Sequence, residues 1–367
     1  KLVESSSSSL WDLKLGGRVF NDWVSPEASR ALENGRGPFV STSSFRKARL
    51  VLKGSAQKDF GFKFELDFAD GDADLTDVYI YLPGPFASRL QIGRQKEPFG
   101  LELKTSSRFL TFLERAPVSE ILIPKRNTGV SINPGNLAPK PGFWLGYFHS
   151  ERAYGVDKDA NGHNLTSRFT TQAKLRDGGR ELIHFGASYS RRDSGRESMK
   201  LENKVAVNFI PDIGDTGEID ASDADVYGFQ TAFIKDSLLL SGEYVKSTLH
   251  LRSGQNADLF GKYVYLSYFL TGEHKPFNRK KRTFDRVHPK KNFDGRRGGA
   301  VELAIRYDTL DLLDRKNGIL GSKTEEWTYG INWYLNPHTK VMLNYVDSDL
   351  ENLGEIQTTQ FRLQVDF

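Results

Sequence analysis

The last nine residues of the chain, Thr359-Gln-Phe-Arg-Leu-Gln-Val-Asp-Phe367, decide its fold class. Every second residue from Phe361 to Phe367 is apolar, and the residues between them are polar or charged. Because successive side chains of a β-strand point to opposite faces, this pattern predicts a strand with hydrocarbon on one side and water on the other. A transmembrane β-barrel and the edge of a soluble β-sandwich both contain such strands.

The same alternation recurs in 60–68, 301–307 and 327–335. In each segment the large apolar residues are separated by polar, charged or small ones. Charged side chains could not lie in the dry core of a sandwich without partners, whereas a water-filled lumen accepts them. The pattern therefore favours a wide barrel over a packed sandwich.

The composition agrees with a barrel and excludes other classes. Only 38% of the 367 residues are hydrophobic, and the mean hydropathy is −0.50. No segment approaches the roughly 18 consecutive apolar residues of a transmembrane helix. A barrel wall needs apolar residues only at alternate positions. The absence of cysteine excludes thiolate chemistry and cysteine metal sites.

Turn-forming residues set the predicted topology. Short periplasmic turns are predicted at 54–59, 83–88, 177–180, 235–237 and 336–338. Long extracellular loops are predicted at 24–42, 69–74, 97–126, 151–164, 192–224, 251–259, 312–324 and 348–357. The candidate strands number 17, and an odd count would leave the two termini on opposite sides of the membrane.

Segment 201–210 has the poorest alternation, so we assign it to the fifth loop, 192–224. This leaves an all-β, 16-stranded antiparallel transmembrane barrel over residues 11–367, with both termini periplasmic. A barrel of this size encloses an aqueous channel. The serine-rich residues 1–10 are predicted to be a flexible N-terminal leader.

One predicted periplasmic turn, 273–298, is unusually long and basic. It has ten Lys and Arg residues against three acidic ones, a net charge of +7 in a chain of +4. It could be a solvated segment that touches acidic lipid headgroups, or it could fold into the channel mouth and concentrate anions. Under the second interpretation its central run would line the anion path: Arg279, Lys280, Lys281 and Arg282.

The third loop, 97–126, has nearly balanced charge, and its bases are candidates for the anion path. These bases include Lys104, Arg108, Arg115 and Arg126. In the first two strands the inward parity falls on Lys14, Arg18 and Lys47. Arg46 has the wrong parity, so we expect it near the headgroups or beside a β-bulge, and Arg94 raises the same question.

A series of short motifs occurs in order along the chain. They include Leu13-Lys-Leu-Gly-Gly-Arg18, Phe45-Arg-Lys-Ala-Arg49, Gly93-Arg-Gln-Lys-Glu-Pro-Phe-Gly-Leu-Glu102, Arg126-Asn-Thr-Gly-Val130 and Gly330-Ile-Asn-Trp-Tyr334. Together they resemble the phosphate-selective porin O and P family across nearly the whole chain. The terminal Phe367 also resembles the end of the recognition strand in bacterial outer-membrane barrels.

The resemblance implies a homotrimer of 16-stranded barrels in the outer membrane of a Gram-negative bacterium. It also implies that the third and fifth loops and the seventh periplasmic turn fold into each lumen. Family channels conduct anions along an arginine ladder with lysines at the mouths. The matching positions are Lys14, Arg18, Arg46, Lys47, Arg108 and Arg115, with Asp77 as a wall acid near the constriction.

Two departures from the family pattern leave the preference for phosphate open. Leu103 stands where phosphate-selective members have a lysine, and Lys104 comes one place later. The fifth loop has few arginines and a run of acids near its end. The predicted function is therefore passive diffusion of small anions, phosphate or another oxyanion, along a lumen lined by Arg and Lys.

Two alternatives remain open at this stage. One is a porin for small acidic organic solutes such as dicarboxylates. The other is an accessory or structural barrel occupied by a protein partner in the lumen or periplasm. An enzyme is not expected, because the seven histidines form no metal-spaced pair and no Gly-x-Ser-x-Gly motif is present. We expect no catalytic residues, metal, cofactor or nucleic acid, and contacts with outer-membrane lipid and lipopolysaccharide.

Overall fold

The computed structural model describes residues 11–56, 60–69, 71–85, 88–134, 141–149, 162–176, 179–195, 198–203, 205–210 and 213–367. The predicted leader, residues 1–10, lies outside the described residues. Within them, no helix has the length and apolar character needed to cross a membrane.

Sixteen antiparallel strands form one closed barrel, as the alternation and the turn count predict. The strands are β1 Trp11–Ala28, β2 Thr42–Ala56, β3 Phe60–Asp67, β4 Asp74–Pro83, β5 Arg89–Lys96, β6 Arg126–Asn133, β7 Gly142–His149, β8 His163–Arg176, β9 Glu181–Asp193, β10 Ala221–Lys235, β11 Leu238–Leu251, β12 Asn256–Phe269, β13 Ala300–Asp314, β14 Ile319–Asn336, β15 Thr339–Leu350 and β16 Gly354–Asp366. Each strand pairs with its sequence neighbours, and β1 also pairs with β16.

The seam between β1 and β16 confirms the prediction for the last nine residues. Arg18 lies opposite Asp366, and the main chains of Gly17 and Phe367 exchange hydrogen bonds of 3.0 and 3.1 Å. A Cβ atom at Gly16 would lie 2.9 Å from the carbonyl oxygen of Phe367, so a side chain there would push the strands apart. The apolar residues Phe361, Leu363 and Val365 are exposed on the outside, whereas Arg362 is buried inside.

All long connections but one lie at the same end of the barrel. The exception joins β12 to β13 and lies with the short turns, the start of β1 and the end of β16. Long loops are typical of the extracellular end of outer-membrane barrels, so this connection lies where the long periplasmic turn is predicted, and we keep that name for it. Segment 201–210 is not a strand of the barrel wall. Its residues Glu202–Asn203 pair with Gly214–Asp215 in a separate short hairpin.

Several predicted loop boundaries were wrong because the strands continue beyond the apolar band. The predicted loop 251–259 is reduced to 252–255, and 348–357 is reduced to 351–353. Main-chain hydrogen bonds hold adjacent strands together whatever side chains they carry, so polar residues extend the pairing. Alternating apolarity marks the lipid-facing part of a strand and not its full length.

Helices occur only in connections within the described residues. The helices are α1 Arg30–Arg36 in the first loop, α2 Pro117–Ile121 in the third, and single 3₁₀ turns at Ser107–Phe109 and Arg315–Asn317. Leu32 of α1 is buried among Val24, Leu350 and Ile356, so the first loop packs against the extracellular ends of the last strands.

The largest apolar core lies inside the barrel. Residues of the third loop, among them Phe99, Leu101 and Leu122, pack on inward-facing residues of β10 to β13. The Phe99 ring would meet a Cβ atom at Gly228 at 2.5 Å, so glycine at this wall position makes room for the loop. The lumen is therefore filled on the side of β10 to β13, whereas the inward-facing Lys14 and Lys53 stay exposed on the wall of β1 to β3, which we call the open wall.

Candidate functional site

The third loop crosses the lumen and is held mainly by its own main chain. Inward-facing side chains of β13 to β16 donate to five carbonyl oxygens between residues 108 and 114. The five donors are Arg306, Asn332, Lys340, Arg362 and Gln364, at distances of 3.0, 2.7, 2.9, 2.6 and 3.0 Å. This attachment fixes the loop inside the lumen against β13 to β16.

Two buried carboxylates hold the first half of the loop. Glu243 accepts hydrogen bonds from the main-chain nitrogens of Leu101 at 2.9 Å and Glu102 at 2.6 Å, and from the hydroxyl of Tyr263 at 2.8 Å. Glu97, which is fully buried, accepts from Arg192 Nη1 at 2.8 Å. Burial of an unpaired charge is costly, and these donors compensate for it.

The long periplasmic turn enters the lumen from the other end. Its hairpin, Phe277–Asn278 paired with Thr283–Phe284, packs its Phe277 ring on His184 with ring centres 5.0 Å apart. Arg168 of the wall donates to the carbonyl of Arg282 at 3.0 Å. Lys275 Nζ donates to Thr111 Oγ1 of the third loop at 3.0 Å. Two segments that enter from opposite ends therefore meet inside the barrel.

The fifth loop also reaches the lumen from the extracellular end. The main chain of Ala206 donates to Glu326 at 3.0 Å and accepts from Gln360 at 3.0 Å. Both of these wall residues face inward and are buried. The part of the fifth loop around residue 206 thus covers the mouth above β14 and β16.

The open wall carries rows of basic residues. Lys14, Lys53 and Lys63 lie side by side on β1, β2 and β3. Four residues further along β1, Arg18 lies opposite Arg49. All five face inward, because the apolar residues between them on the same strands face outward. The inward parity predicted for Lys14 and Arg18 is thus confirmed, and the register shows which basic residues lie beside them.

Lys47 continues the series toward the extracellular end. It lies opposite Phe20, six residues beyond Lys14 on β1, which corresponds to roughly 20 Å along the strand. Its ammonium has no hydrogen bond or ion pair with any described residue. The side chain is buried, and it interacts electrostatically with Arg46 and Arg49 and with the opposite charge of Glu114. The series of cations therefore spans most of the height of the barrel.

Arg46 faces inward because of a β-bulge. Phe20 pairs with Lys47 and Asn21 with Phe45, so Arg46 is an extra residue on β2. Its guanidinium binds Glu114 of the third loop through two hydrogen bonds of 2.9 and 3.0 Å. Of the two explanations for its parity, the bulge is therefore correct.

Arg94 lies on the outer face of the barrel. It shares the parity of the outward-facing Ile92, and its Nε donates to the carbonyl of Leu75 at 3.1 Å. Leu75 lies near the extracellular end of β4. Arg94 therefore fits the other explanation, a position near the headgroups.

Acidic residues of β3 and β4 neutralise part of this wall. Glu65 forms ion pairs with Arg18 at 2.8 Å, Arg49 at 3.0 Å and Lys63 at 2.9 Å. Asp77 binds Arg126 at 2.6 Å and also Lys63. Arg18 is therefore buried in an ion pair, whereas Lys14 and Lys53 in the row below it are exposed, and Lys14 pairs with Asp12 at 3.0 Å.

The predicted cations of the third loop face the open wall. Arg115 is fixed by the carbonyls of Glu102 and Thr105, both at 3.2 Å, and by Glu120 at 3.1 Å. Arg108 lies 3.6 Å from Asp366 and interacts electrostatically with Glu65 of the wall.

Burial affects the ionisation of loop side chains near the constriction. It lowers the pKa of Lys104, whose Nζ donates to the carbonyl of Lys96 at 3.1 Å, to about 8. Burial alone would raise the pKa of Glu114, but Arg46 and Arg362 hold it at about 2. Glu114 is thus an anion at neutral pH, and the charge of Lys104 depends on pH.

The four central bases of the turn occupy two environments. Arg279, Lys280 and Lys281 are exposed at the tip of the lumen hairpin, and Lys281 interacts electrostatically with Lys53 of the wall. The Arg282 guanidinium is buried and donates to Gln172. The alternation of strand faces cannot predict which of these four bases is buried, because they lie in a turn and not in a strand.

Four buried arginines of the wall were not among the predicted site residues. They are Arg168, Arg192, Arg306 and Arg362. Each binds a segment inside the lumen: Arg362, for example, donates to Leu113 and to both oxygens of Asp22. The alternation along their strands predicts that these arginines face inward, but the sequence does not show which residues they contact. Among the described residues, no group of three His, Asp or Glu side chains is placed to hold a metal ion.

Comparison with known proteins gives consistent results. The chain is 28% identical to an uncharacterized protein of Caulobacter vibrioides, over 90% of this chain and 67% of that protein. It is 24% identical to Porin O of Pseudomonas aeruginosa, over 94% of this chain and 84% of that one. An anion-selective porin from Comamonas acidovorans has the same fold, with a TM-score of 0.62, 13% identity, and coverage of 97% of this chain and 100% of that one.

The sequence profile described as "Phosphate-selective porin O and P" matches residues 15–367. With the barrel described above, this match assigns the protein to the outer membrane of a Gram-negative bacterium and indicates a channel rather than an enzyme. The chain belongs to the phosphate-selective porin O and P family.

Proposed function

We propose that the barrel passes small oxyanions, including phosphate, by passive diffusion along the basic wall of β1 to β3. The observation that carries this proposal is the series of inward-facing cations opposite the third loop. Lys53 in this series is exposed and, like the buried Lys47, forms no hydrogen bond or ion pair with any described residue, so the charge of Lys53 is available to a passing anion. The name of the family and the anion-selective neighbour support the same class of solute.

Transit requires sites that attract an anion without trapping it. The paired cations suit this requirement, because Glu65 and Asp77 offset part of the attraction of Arg18, Lys63 and Arg126. An anion would then exchange between partly compensated guanidinium groups and the uncompensated lysines. Arginine contributes a planar fork that binds oxyanions through two hydrogen bonds and stays charged at all physiological pH values.

The basic hairpin tip would extend this path toward the periplasm. Lys281 interacts electrostatically with Lys53, so the tip and the wall contribute to one local field. Cations grouped around a narrow passage raise the local anion concentration and the rate of entry. Arg282, whose guanidinium is buried, would position the hairpin rather than contact the solute.

The reversal potential of the purified protein in a planar bilayer under a salt gradient tests the proposal. For a tenfold gradient, ideal anion selectivity gives about 59 mV. Strong anion preference with block of the chloride current by phosphate supports an oxyanion channel. Block by a dicarboxylate but not by phosphate would replace it with an organic-acid porin, and no conductance would indicate an occupied or accessory barrel.

The combined substitution Lys47→Gln and Lys53→Gln identifies the path. Neither change leaves a carboxylate unpaired, so the barrel should fold normally. An anion 4 Å from a cation gains about 1 kcal/mol in water, so anion preference should fall several-fold. The matched control is Arg315→Gln with Lys316→Gln, in an exposed extracellular turn. An equal loss of anion preference in both double variants would show that Lys47 and Lys53 do not lie on the anion path.

We also infer a homotrimer. One fold neighbour is a trimer form of OmpT from Vibrio cholerae, at a TM-score of 0.58 and 11% identity. β3 to β7 have only 8 to 10 residues, whereas the other strands have 12 to 18, so one side of the barrel is low. A low side suits burial against neighbouring subunits. Native mass spectrometry in detergent tests this, and a monomer at all concentrations would refute it.

A further inference from the structure

The long periplasmic turn divides into two parts with different surroundings. Up to Val287 it lies inside the barrel, where Val287 packs against the inward-facing Phe269, Ala300 and Tyr334. Beyond His288 the chain crosses the rim of the barrel. We call residues 289–299 the rim loop.

The rim loop is attached to the outer face of β14. The main-chain nitrogen of Phe293 donates to the carbonyl of Leu335 at 2.7 Å. The Phe293 ring meets the ring of Trp333 edge-on at 4.9 Å, and the Trp333 indole donates to the carbonyl of Gly298 at 3.3 Å. Trp333 shares the outward parity of Tyr329 and Ile331, so the loop lies on the lipid side of the wall.

The conformation of the loop is organised around Asp294. Its carboxylate accepts from the main-chain nitrogens of Arg296 and Arg297, both at 3.0 Å, and pairs with Lys291 at 3.0 Å. The hydrogen bond from Arg297 and the ammonium of Lys291 lower the pKa of Asp294. Gly298 has a φ of 106°, which favours glycine and allows the chain to turn back. The loop is thus a defined turn that displays its basic side chains.

The charge of the rim loop is strongly positive. Lys290, Lys291, Arg296 and Arg297 face one acid, Asp294, and all four bases are exposed. The guanidinium groups of Arg296 and Arg297 form no hydrogen bond or ion pair with any described residue. They are therefore available to an external anion.

The depth of the loop in the membrane indicates which anion it meets. Tyr268, near the end of β12, and Leu270, just after it, are 49% and 58% exposed on the outer face. Aromatic residues with an exposed apolar edge mark the boundary between hydrocarbon and headgroups. Bases next to this boundary lie at the level of the lipid phosphates, where arginine binds phosphate through two hydrogen bonds.

We propose that the rim loop binds the phosphate headgroup of an anionic phospholipid in the periplasmic leaflet, with Arg296 and Arg297 as its main ligands. This contact anchors the periplasmic end of the barrel next to the place where the lumen hairpin begins. It does not depend on which solute passes through the pore, so it stands or falls separately from the proposed transport.

Native mass spectrometry of the detergent-purified protein tests this proposal, with phosphatidylglycerol or phosphatidylcholine added at equal concentration. We expect preferential binding of phosphatidylglycerol that weakens as salt is raised. Since each basic residue near an anionic surface strengthens binding roughly five-fold, Arg296→Gln with Arg297→Gln should weaken phosphatidylglycerol binding roughly 25-fold. The control pair Arg315→Gln and Lys316→Gln, at the opposite end, should leave binding unchanged.

Three results would overturn the proposal. Equal binding of the two lipids would show that the loop does not recognise a charged headgroup. An equal loss in both variant pairs would show only a general effect of protein charge. Displacement of the lipid by millimolar inorganic phosphate would assign the loop to a free oxyanion. Both exchanged side chains are exposed, so each variant should fold, and the heat-induced gel shift of the barrel checks this.

Discussion

Glu243→Gln should loosen the third loop without unfolding the barrel. The substitution keeps the shape of the side chain but places an amide NH₂ opposite a main-chain N–H. If the amide replaces Oε2, the bond from Leu101 is lost, and the bonds from Glu102 and Tyr263 lose the help of the negative charge. A hydrogen bond to a charged group contributes about 1.5–3 kcal/mol.

Two effects determine the size of the change. The loss of one charge-assisted hydrogen bond and the weakening of the two others to this side chain favour opening of the loop. In the opened loop, however, lumen water would solvate the carboxylate of Glu243, and this offsets part of the loss. We therefore expect the low end of the range, about 2 kcal/mol, which corresponds to roughly a 30-fold larger opening equilibrium.

Hydrogen exchange followed by mass spectrometry measures this opening directly. Peptides that contain Leu101 and Glu102 should exchange roughly 30-fold faster in Glu243→Gln, while peptides from β13 to β16 should not change. Tyr263→Phe is the matched control, because it removes one bond to the same carboxylate and keeps both main-chain bonds. If the two variants exchange at the same rate, the carboxylate does not anchor the loop and the reasoning fails.

Two further predictions concern the charge of the channel. Replacement of Arg279, Lys280 and Lys281 by Gln should reduce anion preference, more at low than at high salt, and an unchanged reversal potential would remove the hairpin tip from the path. Anion preference should also fall between about pH 7 and 9, because the lowered pKa of Lys104, about 8, means that its ammonium loses its proton in this range. Lys104→Gln should flatten that dependence, and a curve identical to the wild type would show that Lys104 does not contribute.

Much of the barrel was predictable because its wall obeys one simple rule. Alternating apolar residues, together with the requirement that both termini lie on one side, predict sixteen strands, and the parity of β1 places Lys14 and Arg18 inside. The extent of the strands was not predictable, because hydrogen-bonded pairing continues into polar sequence at 251–259 and 348–357. Parity also revealed that Arg46 was irregular, but the bulge that turns it inward became visible only with the register of β1 and β2.

The candidate site was less predictable, because it depends on contacts between distant segments. The sequence shows that Lys47 and Arg18 face the same way. It does not show that Glu65 neutralises Arg18 and leaves Lys47 without a partner. The sequence also does not show that the basic turn has one part inside the lumen and another on the outer face. That arrangement depends on the contact between Phe293 of the rim loop and Trp333 of β14.

The attachment of the third loop has a consequence for how this channel can diverge. The wall holds the loop between residues 108 and 114 through carbonyl oxygens, which every amino acid possesses. Many side chains of the loop can therefore be exchanged without loss of these five contacts. Solute preference could then drift from one oxyanion to another, or to an organic acid, while the architecture of the constriction is inherited unchanged.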